Sequence, residues 1–88
     1  MLLKIRYKKS VFQDLKNIGL KEGNKIVIKL EKKLKKNPNE GTPLEGKFKG
    51  LFKLRIGKYR VIYTRTDREV LILRIGQRKN VYKKSIFN

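Results

Sequence analysis

Near its middle this chain changes hydrophobic period, and the change limits what it can fold into. Before residue 37 the apolar side chains return at helical spacing. Val11, Leu15 and Ile18 form one stripe; Ile26, Leu30 and Leu34, with Val27, form a second. Each predicts a helix with one buried face. Ser10 is placed to cap the first helix and Gly19 to end it. Asn37-Pro38-Asn39 stops the second, expected over about Lys21 to Lys36, because Pro38 cannot continue a helix and restricts Asn37. From Lys47 the period is two. In KFKGLFKLRIG, Phe48, Phe52, Leu54 and Ile56 alternate with Lys47, Lys49, Lys53 and Arg55, and Leu51 breaks the pattern. That predicts a half-buried strand with one wet, positive face.

The remaining elements follow from the turn signals. Leu2, Leu3, Ile5 and Tyr7 read as a first strand. Residues 38 to 46 read as loop, Gly57-Lys58 as a tight turn, Tyr59 to Arg65 as a strand, Thr66-Asp67-Arg68 as another turn and Glu69 to Ile75 as a last strand. A final helical turn or tail is expected over Lys79 to Phe87. The predicted fold is α+β in two layers: an N-terminal strand and a helical hairpin packed on a four-stranded, mostly antiparallel sheet, in one domain spanning residues 1–88.

Strand geometry then sorts the side chains by face. With Phe48, Phe52, Leu54 and Ile56 toward the helices, Lys47, Lys49, Lys53 and Arg55 point away. Tyr59, Val61 and Tyr63 make the better core set of the next strand, leaving Arg60 and Ile62 on the open face. In the last strand Leu71, Leu73 and Ile75 are expected inside, with Val70, Ile72 and Arg74 outside. Lys53, Arg55, Arg60 and Arg78 thus converge on one face or its rim, with Tyr82 close behind in GQRKNVY. Like charges on adjacent strands repel, and such crowding is tolerated where an anion sits. An arginine fork matches phosphate oxygens, and a tyrosine ring offers a base a stacking surface.

The charge balance agrees. Lys and Arg number 25 against 7 Asp and Glu, a net charge of +18 on 88 residues. A chain this basic seeks a polyanion, and nucleic acid is the expected partner; an anionic membrane or an acidic protein could also neutralise it. No apolar run approaches the ~20 residues of a membrane span. MLLKIRYKK is broken by charge too early for a signal peptide, and a cytoplasmic protein is expected. There is no cysteine or histidine, which removes disulfides, thiolate chemistry and the usual acid–base pair of neutral pH. The acidic residues are few and lie mostly in loops or at helix ends, so no metal site and no cofactor are expected.

PLEGKFKGLFKLRIGKYRVIYTRTDREVLILRIGQRKNVY resembles the RelE toxins of the RelE/ParE superfamily. The shared features are L-x-G after the helices, the K-L-R strand, G-x-Y-R-V-I-Y, and a closing G-x-R before a tyrosine. The resemblance implies the toxin of a type II toxin–antitoxin system: an endoribonuclease that cuts messenger RNA in the ribosomal A site. The 2′-hydroxyl would attack the neighbouring phosphate, leaving a 2′,3′-cyclic phosphate and a 5′-hydroxyl. Position by position, Lys53, Arg60, Arg78 and Tyr82 match the family's catalytic residues. Lys53 would take the 2′-hydroxyl proton or stabilise the oxyanion, Arg60 clamp the phosphate, Arg78 assist the leaving oxygen, and Tyr82 stack on or orient the base. Lys47, Lys49, Arg55 and Arg74 would bind the substrate backbone. Where the family has a second lysine, this chain has Leu51, and Lys49 or Lys47 on the same strand face is expected to substitute.

The resemblance also implies partners: messenger and ribosomal RNA, and a small acidic RelB-like antitoxin. Ile62, Val70 and Ile72 are expected to give that antitoxin an apolar surface on the open face. Two other readings share much of the pattern. One is a ParE-like toxin that inhibits DNA gyrase, which uses the same hairpin without the basic triad. The other is a non-catalytic basic RNA-binding module, for which charge alone suffices.

Overall fold

The computed structural model of the chain describes residues 3–77. The order is β1 (Lys4–Tyr7), α1 (Lys9–Ile18), α2 (Leu20–Lys36), β2 (Thr42–Pro43), β3 (Phe52–Ile56), β4 (Tyr59–Arg65) and β5 (Glu69–Gln77). The strands form one five-stranded sheet in the order β1-β5-β4-β3-β2. β1 runs parallel to β5 and the other pairs are antiparallel. The two-layer α+β arrangement is the one expected, with one strand more. β2 is too short to show any alternation, and it pairs Thr42 with Lys53 and Pro43 with Phe52 at the sheet edge, where a proline costs no ladder bond.

The helices form where the stripes predict. Val11 on α1 and Ile26, Leu30 and Leu34 on α2 are buried against Leu54, Ile56, Val61, Tyr63, Val70, Ile72 and Ile75 of the sheet. Ser10, however, is not the cap. Lys8 holds the extended N-cap conformation, and Ser10 lies one residue inside the helix with its hydroxyl donating to the Leu73 carbonyl (3.0 Å). No helix among the described residues is long and apolar enough to cross a membrane.

The alternation predicted from Lys47 onward begins only at Phe52. Gly46–Phe48 forms a 3-10 turn, and Gly50 has φ +94°, a conformation that breaks any strand and that side-chained residues avoid. Phe48 therefore does not face the helices. With Leu44 it packs on the opposite side of the sheet, over a second cluster of Leu51, Ile62 and Leu73.

β5 also departs from its predicted facing. Tyr63 pairs with Ile72, but Ile62 pairs with Arg74, so Leu73 is an extra residue. This bulge changes the parity of the strand midway. Val70, Ile72 and Ile75 face the helices, Leu73 joins the second cluster, and Leu71 is 36% exposed. A strand that is apolar at nearly every position carries no period to reveal this.

Candidate RNA-binding face

β3 and β4 position the central cations. Phe52, Leu54 and Ile56 are drawn to the helix side, which turns Lys53 and Arg55 to the other face. Tyr59, Val61 and Tyr63 do the same on β4 and present Arg60 beside them. Arg55 lies directly opposite Arg60, Lys53 opposite Ile62, and Gly76 of β5 flanks Arg60 on its other side. Directly opposed residues bring their Cβ atoms to roughly 5 Å, and next-but-one residues on a strand lie about 7 Å apart. Lys53, Arg55 and Arg60 can therefore reach one phosphate group together. Among the described residues the ion pairs join Arg6 to Glu69, Lys35 to Glu31 and Arg74 to Asp14, and none neutralises these three cations. An anion placed there meets uncompensated charge.

The other expected site residues fall differently. Lys47 and Lys49 leave the strand with the 3-10 turn, and the Lys47 ammonium sits 5.2 Å from the centre of the Phe48 ring. Neither lies on the strand that carries Lys53, and Leu51 is buried within the second cluster. Arg74 stands in the row of Ile62 on the open side of the sheet, but its side chain is held by α1 instead of being presented to a ligand. Its Nε and Nη2 donate to both carboxylate oxygens of Asp14 on α1 (2.9 and 2.7 Å), and its side chain is only 12% exposed. Arg78 and Tyr82 lie outside the described residues.

Asp14 is the residue that the sequence reading passed over. It stands on the apolar stripe between Val11 and Leu15, where a carboxylate has to be paired, and that position was the available signal. β1 ends at Tyr7, opposite Ile72. Beyond that point α1 serves the edge of β5: Ser10 bonds the Leu73 carbonyl, and Asp14 accepts the Ile75 N–H (3.0 Å). Tyr63 is likewise structural. Its hydroxyl accepts from the Gly41 N–H (3.0 Å) and donates to the Pro38 carbonyl, and burial pushes its pKa upward. A Cβ on Gly41 would come within 2.4 Å of the Tyr63 hydroxyl oxygen, so only glycine fits there.

The apolar surface expected on the open face is absent: Ile62, Val70 and Ile72 are fully buried. Among the described residues, the large apolar side chains left exposed are instead Phe12, Leu20 and Ile28 on the helices, at 63%, 82% and 67%.

Comparison with known proteins agrees with the fold. The family model of the ParE toxin of type II toxin–antitoxin systems matches residues 5–82. The chain belongs to that family, within the RelE/ParE superfamily of toxins. A chain of the RelBE2 toxin–antitoxin complex from Mycobacterium tuberculosis superposes with a TM-score of 0.80 at 27% identity, covering 89% of this chain and 100% of that one. The E. coli DinJ–YafQ toxin–antitoxin complex (TM-score 0.71, 21% identity, 93% and 99% covered) shares the fold. So does the YoeB dimer from Staphylococcus aureus (0.69, 23%, 86% and 97%). No curated protein matches the chain by sequence.

Proposed function

We propose that this toxin is a ribosome-dependent endoribonuclease that cleaves messenger RNA in the A site by attack of the 2′-hydroxyl on the adjacent phosphate. The observation that carries this reading is the direct pairing of Arg55 with Arg60 beside Lys53, unneutralised, on a face the helices leave open. Charge grows on the phosphate as the 2′-oxygen attacks, and fixed cations favour that state over the ground state. Arg60 and Arg55 clamp the phosphate oxygens; Lys53 takes the 2′-hydroxyl proton or stabilises the oxyanion. Arg78 and Tyr82 are assigned from the sequence to the leaving oxygen and the base. Lys47 and Lys49 add charge along the flanking RNA. No metal step is invoked.

The partner that restrains the toxin is an acidic antitoxin. Related folds are solved within toxin–antitoxin complexes, and a charge of +18 favours an acidic segment that orders on binding. The ParE family model supports a second reading, inhibition of DNA gyrase. Primer extension on a translated message, with and without ribosomes, separates the two. Cuts that need ribosomes support the nuclease. Intact RNA together with blocked supercoiling supports the gyrase reading.

A further inference from the structure

We infer that the buried Asp14–Arg74 pair is a register clamp: it selects the strand pairing that puts Gly76, rather than Ile75, beside Arg60 and so keeps the cationic face open. The inference rests on the nuclease reading for its functional consequence, though not for its structural one.

Register supplies the argument. Up to Tyr63 and Ile72 the β4–β5 ladder follows one pairing; after the bulge Ile62 meets Arg74, Val61 meets Ile75 and Arg60 meets Gly76. Without the extra residue the first pairing would simply continue. Ile62 would then meet Leu73, Val61 would meet Arg74 and Arg60 would meet Ile75. A one-residue slip turns every following side chain to the other face. The Arg74 guanidinium would enter the core row of Val61, and an isoleucine would stand over the phosphate position next to Arg60. The bulged register avoids both, and α1 supplies its extra bonds. Ser10 takes the Leu73 carbonyl; Asp14 takes Arg74 Nε, Arg74 Nη2 and the Ile75 N–H.

Stability alone explains the pair poorly. A buried salt bridge gains little over well-packed apolar residues, and its best-attested use is to fix one arrangement among several. Arg74 is also too enclosed, and its fork too fully engaged, to meet RNA. It is a positioning residue, and Asp14 is its partner.

The test replaces the pair by apolar residues, Asp14→Leu with Arg74→Met, and separately changes Arg74→Lys, which keeps the charge but loses the fork. Gly76→Val imitates the slip with the clamp intact. Cleavage of a translated message is expected to lose about 10- to 100-fold in kcat in all three, with KM within about twofold, since small misplacements near the reacting bond cost that much. Hydrogen exchange of the Arg60 and Gly76 amides is expected to accelerate in the two clamp variants and to stay slow in Gly76→Val. Wild-type kcat in folded Asp14→Leu/Arg74→Met protein would overturn the clamp's role in the site. If the double variant does not fold, Arg74→Lys decides the matter by the same two readouts. Should the wild-type protein cut no RNA, the nuclease reading fails by itself. Hydrogen exchange then decides the register claim: unchanged protection at Arg60 and Gly76 in the clamp variants would sink it.

Discussion

On the helix side of the sheet, twelve buried side chains from five elements close one core. On the other side, among the described residues, only Leu51, Ile62 and Leu73 are buried, under Leu44 and Phe48, and Lys53, Arg55 and Arg60 stand next to them. The first face has every reason to be kept for folding. The second keeps repelling charges on neighbouring strands, an arrangement that costs stability and gains something only when an anion arrives. The difference teaches where to look for function: at the face where the packing is thin and the charges are uncompensated.

That contrast can be broken by substitution. Leu30→Ala, in the centre of the helix-side core, is expected to lower unfolding free energy by about 2–5 kcal/mol, measured by urea denaturation. Leu51→Ala, under Leu44 and Phe48, should cost less, about 2 kcal/mol, the low end for a leucine truncation. Equal losses would mean that the open face is as much a core as the other. Arg55→Ala is expected to leave stability unchanged or slightly raised. It should reduce the log–log salt slope of RNA binding by about 1, as for any lost phosphate contact. An unchanged slope would place Arg55 outside the interface.

The smallest effect concerns the alkaline limit of the fold. Tyr7 of β1 is half-buried and donates its hydroxyl to Glu31 of α2, so burial first and the carboxylate second hold its pKa well above the ordinary tyrosine range. The folded state keeps this proton longer than the unfolded one. The stability it contributes is complete below about pH 10, where a free tyrosine begins to ionise, and is lost as pH rises toward the folded value. Tyr7→Phe should flatten that decline in a series of thermal melts above pH 9.5, roughly half a unit below the free value. An equally steep decline would assign it to other groups.

How much of this was legible depended on contrast along each strand. β3 alternates apolar with cationic residues and β4 opens the same way at Tyr59, Arg60 and Val61, so the sequence shows that Lys53, Arg55 and Arg60 share a face. β5 is apolar almost throughout, so its bulge leaves no trace in the pattern: Val70 and Ile72 face the helices instead of the open side, while Arg74 keeps its side and is taken up by Asp14. Lys47 and Lys49 sat on a convincing alternation that Gly50 interrupts by its backbone conformation alone. The two-residue β2 is held by pairing with β3 rather than by any preference of its own. Asp14 was visible as a charge on an apolar stripe, but its partner lies 60 residues away, beyond the reach of local periodicity.

The central claim is that Lys53 and Arg60 act together on one phosphate while contributing nothing essential to the fold. The most direct measurement is the single-turnover cleavage rate of ribosome-bound message by Lys53→Met/Arg60→Met protein, taken beside its thermal midpoint. A rate lower by at least about 10²-fold, the usual loss when transition-state charge stabilisation is removed, with an unchanged or higher midpoint, is the expected result. A rate equal to that of the unaltered protein would contradict it.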